Sequence, residues 1–196
     1  MAGEVIALNG TSSAGKSTLA AEMQTQLVAR DRCWIILGID DFLGKLPAPW
    51  VRYVEAGAHA DEGVSFERID GDIVFRAGPI GRAVFAGYRR SVAAVVRSGV
   101  NVIVDEVVVD DEAWSQWDSE LRALDPFWVR VDCPIDVCER RERARADRLP
   151  GLARSQATVV HRYPPYHFTV DTSTAPPAEL AQAVIAAHSA RREDDA

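Results

Sequence analysis

Residues 10–17, G-T-S-S-A-G-K-S, constrain the fold of this chain more than any other stretch. Ahead of them Glu4 to Asn9 (E-V-I-A-L-N) is a short apolar run suited to a buried strand. Behind them Lys16 to Ala29 carries Leu19, Ala20, Met23, Leu27 and Val28 close to helical spacing. Strand, glycine turn and helix in that order fit the phosphate-binding loop, Gly, four residues, Gly-Lys-Ser/Thr. Gly10 and Gly15 permit a tight turn that points successive backbone N–H groups inward. Thr11, Ser12, Ser13, Ala14, Lys16, Ser17 and Thr18 complete the expected cradle for a triphosphate such as ATP. Lys16 brings positive charge, the Ser17 hydroxyl can ligate Mg²⁺, and the helix start adds its unsatisfied N–H groups and dipole.

At 196 residues the chain has the length of one α/β domain, residues 1–196, with a substantial core. A net charge of −7 and a pI near 5.1 argue against a nucleic-acid partner, which would need an excess of Lys and Arg to displace counterions. A small-molecule acceptor fits better. Cys33, Cys133 and Cys138 show no zinc-binding spacing and are expected as reduced thiols in the core or in helices. There is no apolar run of about 18 residues and no signal-peptide charge pattern, so a cytoplasmic chain without a membrane partner is expected.

Further apolar runs, Cys33 to Ile39, Val100 to Val104, Trp128 to Val131 and His167 to Val170, alternate with helical stretches. The helical stretches are Gly81 to Arg97, Ala113 to Leu124, Ile135 to Arg148 and Ala178 to His188. That alternation predicts a three-layer α/β fold around a central parallel five-stranded sheet. The charged tail 191–196 is expected to fray. Val64 to Phe75 interrupts the pattern with two strand-like pieces around Asp70 and Gly71, a β-hairpin signal. It predicts an insertion of about 44–80, lying either over the acceptor pocket or on the bare surface. Trp50, Tyr53 and Phe66 are candidate pocket aromatics, with an ordinary core or surface role as the alternative.

Ligands of parallel sheets bind beyond the carboxyl ends of the strands, where acids gather here. Asp105, after Val100 to Val104, has the pattern of a Walker B carboxylate that holds Mg²⁺, and Glu106 either shares that role or faces solvent. A phosphoryl-transfer enzyme must orient its acceptor hydroxyl and take the proton. Asp40 is the preferred base over Asp41, because neighbours in an extended chain point opposite ways; helix capping is the alternative for either. Arg141, Arg145 and Arg148 are spaced to share one face of a lid helix within about 139–155, and could offset charge on the transferring group. Pairing with Glu139, Glu142 and Asp147 is their ordinary alternative. His161 and His167 are read as structural, since Asp40 removes the need for a histidine base.

With these pieces together, the chain resembles chloramphenicol phosphotransferase, a P-loop kinase family. The resemblance rests on Leu8 to Ser17 (L-N-G-T-S-S-A-G-K-S), Gly38 to Phe42 (G-I-D-D-F), Asn101 to Val107 (N-V-I-V-D-E-V), Arg141 to Arg148, and Ser155 to His161 (S-Q-A-T-V-V-H). It implies a P-loop kinase fold, ATP and Mg²⁺ as cofactors, Asp40 as catalytic base, Lys16 and Ser17 at phosphate and metal, and Arg141, Arg145 and Arg148 as the lid. Between Phe42 and Phe85 the sequence departs from the family pattern, so the reaction type carries over and the acceptor does not. A nucleoside or nucleotide kinase is a competing reading, although Asp105 is followed by Glu106 rather than the arginine many such enzymes carry. A nucleotide-dependent regulator is a third.

Overall fold

Val5 and Ala7 pack to one side of the first strand and Ile6 and Leu8 to the other, and all four are buried. A strand apolar on both faces needs a layer of helices on each side, and this chain supplies both. The structure, a computed structural model, describes residues 2–52, 57–70, 72–145 and 149–194.

In chain order the elements are β1 (Val5–Asn9), α1 (Lys16–Val28), β2 (Trp34–Gly38), α2 (Ile39–Leu43), β3 (Val51–Arg52), β4 (Val64–Ile69), β5 (Asp72–Ala77) and α3 (Pro79–Arg97). They continue with β6 (Asn101–Glu106), α4 (Asp111–Leu121), β7 (Phe127–Asp132), α5 (Ile135–Arg143), α6 (Leu152–Ala157), β8 (Phe168–Asp171) and α7 (Pro177–Asp194). The main sheet is parallel, in the order β2-β6-β1-β7-β8. Leu19, Met23 and Leu27 of α1 and Val184 and Ile185 of α7 cover one face; Tyr88, Val92 and Val96 of α3 and Trp117 and Leu121 of α4 cover the other. The expected three-layer P-loop architecture is therefore present.

The expected hairpin is also present. β4 and β5 pair antiparallel, Val64 with Ala77 through Ile69 with Asp72, and β3 adds a short parallel edge. Asp70 takes the left-handed conformation at the turn, φ 51°, and Gly71 lies outside the described residues. Leu43, Val64, Phe66, Ile73 and Phe85 form a separate small core beneath this sheet.

Three expectations are corrected. The second strand stops at Gly38, and Ile39, Asp40 and Asp41 begin a helix, so the two aspartates do not alternate as in an extended chain. The helix expected over Ile135 to Arg148 ends at Arg143; a second helix, α6, starts after Gly151, whose φ of 99° suits only glycine comfortably. The tail is helical through Asp194, where fraying was expected from Arg191, with Arg191 bonded to Asp125; residues 195–196 lie outside the described residues. Among the described residues no helix is long and apolar enough to cross a membrane.

Candidate active site

The carboxyl ends of β1, β2 and β6 open into a cleft of about 1010 Å³ that also reaches the hairpin. Its floor is the loop between β1 and α1. Gly15 has φ 93° and Ser13 φ 59°, the left-handed turns that fold backbone N–H groups inward. A side chain on Gly10 would put its Cβ 2.4 Å from the Val131 carbonyl oxygen, so only glycine lets the loop pass β7. The hydroxyls of Ser12 and Ser13 are buried and have no hydrogen-bond partner among the described residues. Buried donors left unpaired are costly, and a polyphosphate would satisfy them.

Lys16, Ser17 and Asp105 converge at this end. Lys16 Nζ donates to the Thr11 carbonyl at 2.9 Å and stands 3.7 Å from Asp105 Oδ1. Ser17 Oγ donates to Asp105 Oδ2 at 2.6 Å. A hydroxyl beside a carboxylate fits a hard cation that takes its remaining ligands from water and phosphate. No cluster of three or more His, Cys, Asp or Glu side chains forms a metal cage among the described residues.

Asp40 and Asp41 both line the cleft on α2. Asp41 Oδ2 accepts from the Gly38 N–H at 3.0 Å, tying it to the helix start. Asp40 precedes it on the same helix and lines the same cleft. Glu106, expected at the metal or in solvent, does not face solvent: it is 1% exposed, accepts from Trp117 Nε1 at 2.8 Å and lies 3.7 Å from Arg89. Burial raises its pKa, against the pull of Arg89 and of the N–H groups it accepts from. Arg89 is buried too, bonded to Gln116 and stacked over Trp117.

The arginine expectation divides. Arg141 lines the cleft and donates from both terminal nitrogens to Thr172, at 3.0 Å to its hydroxyl and 3.0 Å to its carbonyl. Thr172 in turn donates to the Ala14 carbonyl, so Arg141 braces the loop from outside. Arg145 lines the cleft from beyond the end of α5, off any helix face it could share with Arg141, and Arg148 lies outside the described residues. The single lid helix is thus replaced by α5, a connecting segment and α6. Buried Glu142 holds these together, accepting from the N–H groups of Gly151 and Ala153 at 3.1 and 2.7 Å.

Of the candidate aromatics, Phe66 lines the cleft, joined by Phe75 and Phe85 with centroid spacings of 5.1 and 5.7 Å. Trp50 instead stacks on His59, and Tyr53 lies outside the described residues. The hairpin therefore contributes an apolar wall to the cleft, through Phe66, Ile73 and Phe75.

His161, expected to be structural, sits in a chain of polar contacts. Asn9 Nδ2 donates to Tyr166 Oη at 2.6 Å, the Tyr166 hydroxyl lies 3.0 Å from His161 Nδ1, and His161 Nε2 lies 3.1 Å from Asp132. A neutral ring satisfies every link, and burial with Arg130 nearby holds its pKa at about 4 despite Asp132. His167 accepts from the Trp128 N–H. The cysteines are free thiols; Cys138 is buried, with its pKa pushed up to about 12 chiefly by burial, whereas Cys33 is exposed in a loop rather than in core or helix.

Gln156, Arg89, Phe75 and Phe85 line the cleft without having been singled out for it. Arg89 carried a signal: it falls on the buried stripe of α3 with Phe85, Tyr88, Val92 and Val96. An arginine in an apolar stripe needs an internal partner.

Comparison with known proteins agrees with this geometry. A family described as chloramphenicol phosphotransferase-like protein matches residues 3–189. A Mycobacterium tuberculosis protein carrying the provisional name O-phosphotransferase is 33% identical over 182 residues, covering 92% of this chain and 80% of the relative. Among solved structures, the APS kinase of the same organism superposes with a TM-score of 0.65 at 20% identity, over 96% of this chain and 98% of the kinase. A gluconokinase from Sinorhizobium meliloti gives 0.60 at 14% identity, over 97% and 94%. These two likenesses show the P-loop kinase fold.

Proposed function

This chain belongs to the chloramphenicol phosphotransferase-like family, and on that premise we propose that it is an ATP- and Mg²⁺-dependent O-phosphotransferase acting on a hydroxyl of a small molecule, either a chloramphenicol-like antibiotic or a related metabolite. One observation carries the reading: a single cleft is lined by Lys16, Ser17 and Asp105, which converge on one another, by Asp40, and by the aromatic side chains Phe66, Phe75 and Phe85.

In this reading the backbone N–H groups of residues 11–18 and the Lys16 ammonium hold the phosphates. Ser17 and Asp105 would hold Mg²⁺, which would supply positive charge against the phosphate oxygens. Asp40 accepts a hydrogen bond from the acceptor hydroxyl, aligns its oxygen with the terminal phosphorus, and takes the proton as the new oxygen–phosphorus bond forms and the bond to the ADP oxygen breaks. Lys16, Arg141 and Arg145 offset charge on the transferring group. Phe66, Phe75 and Phe85 hold the apolar body of the acceptor and exclude water.

The test is incubation with Mg²⁺-ATP and a panel of hydroxylated antibiotics and metabolites, chloramphenicol included, read by mass spectrometry. A compound gaining one phosphoryl group supports the reading. Slow ATP hydrolysis that no acceptor accelerates contradicts it.

A further inference from the structure

Gln156 lines the cleft from α6, and its Oε1 accepts from the backbone N–H of Ser12 at 2.7 Å. Because a backbone N–H can only donate, this bond fixes which end of the carboxamide faces the loop. The oxygen is committed to Ser12, so the amide nitrogen lies on the other arm. That nitrogen carries two N–H donors and makes no hydrogen bond to any described residue. The Ser12 hydroxyl, in the same residue that donates to Oε1, is buried and has no partner among the described residues, in a residue only 5% exposed. Donors therefore collect here without an acceptor, a chemistry that calls for an anion with several oxygens.

The place in the cleft narrows the choice of anion. Ser155, adjacent on α6, accepts from the Ile73 N–H of the hairpin at 2.8 Å. Two consecutive residues thus touch the phosphate loop and the acceptor-side hairpin, so Gln156 stands where the two halves of the cleft meet. The terminal phosphoryl group crosses that junction during transfer.

We propose that Gln156 is a catalytic residue whose Nε2 donates to the transferring phosphoryl group, aimed there by the Ser12 N–H on its Oε1. The inference rests on the triphosphate reading of the cleft. It assigns Gln156 a contact made to the γ-phosphoryl group and not to ADP.

Gln156→Glu separates this role from simple bracing of the loop. The variant keeps an acceptor oxygen for Ser12 and replaces the two donors with a second oxygen that repels phosphate. Calorimetric titration with Mg²⁺-ADP and with Mg²⁺-AMPPNP, a non-hydrolysable triphosphate, reads the difference without any acceptor. The expected result is ADP affinity within about twofold of the parent and AMPPNP affinity lower by roughly tenfold or more, the size of a lost charge-assisted hydrogen bond. Gln156→Ala should lose the same preference for AMPPNP over ADP, to a smaller degree, and serves if the Glu variant fails to fold. Equal losses for both nucleotides, or an unchanged ratio in both variants, would overturn the role of Gln156 and leave the proposed function standing. Failure of the parent chain to bind either nucleotide would overturn both.

Discussion

The Asp41 carboxylate accepts a hydrogen bond from the Gly38 N–H at 3.0 Å, and that bond ties Asp41 to the start of α2. Asp41 holds the start of α2, and Asp40, on the same helix and lining the cleft, is the proposed base. Asp41→Ala should cost about 1 kcal/mol of stability, as losing a cap does, with turnover largely kept. Asp40→Asn should cut turnover by roughly 10²-fold or more while ATP binding stays nearly unchanged. Urea unfolding, steady-state kinetics and calorimetry on the pair read this crossover. Full turnover in Asp40→Asn would remove the base.

Ser17 and Asp105 share one hydrogen bond of 2.6 Å, the position assigned to Mg²⁺. Replacing Asp105 by Asn keeps the shape and removes the charge. The half-saturating Mg²⁺ concentration for turnover should rise roughly tenfold, with Ser17→Ala in the same direction. A Mg²⁺ dependence identical to the parent in both variants would contradict the assignment.

Arg141 meets Thr172 with both terminal nitrogens, a planar fork that a lysine ammonium cannot reproduce. Arg141→Lys should therefore behave almost like Arg141→Ala, lowering kcat by roughly 10-fold to 10²-fold. Near-parental kcat in the lysine variant would show that charge alone suffices.

Glu142 is 1% exposed and satisfies two backbone N–H groups at the start of α6. Glu142→Leu strands both donors and should destabilise the chain by about 2–6 kcal/mol, at about 1–3 kcal/mol for each stranded group. Glu142→Gln keeps one acceptor oxygen and should cost less. Denaturant midpoints of the two variants check the order.

His161 and His188 both have pKa values lowered from 6.5 to about 4, chiefly by burial, against the opposing pull of Asp132 and Glu4. Between those values the unfolded chain binds protons that the folded chain refuses. Their contribution is complete above pH 6.5, is lost as pH falls from 6.5 towards about 4, and changes no further below that. His161→Gln should flatten part of this decline in urea unfolding measured across the window. A profile with the same slope as the parent would contradict it.

Much of this was legible from local pattern. The strand, loop and helix around Gly10 to Ser17 follow from apolar period and glycine placement, both written within a few residues of each other. The hairpin followed from Asp70 and Gly71 between strand-like pieces. The end of α5 was not legible, because Arg143 to Arg145 is good helical sequence, whereas the capture of the Gly151 and Ala153 amides by Glu142 is a contact across 9 and 11 residues. Asp41 did carry a signal, a carboxylate three residues after Gly38 in the capping pattern, which the apolar run ahead of it obscured. The contact of Gln156 with Ser12 spans 144 residues of chain, and no spacing rule reaches that far.

The most direct measurement is calorimetric titration of the purified chain with ATP in the presence and absence of Mg²⁺, alongside Lys16→Ala. The account predicts Mg²⁺-dependent uptake of ATP by the parent, lost or strongly weakened in the variant. No uptake by well-folded parent protein, or uptake indifferent to both Mg²⁺ and Lys16, would contradict it.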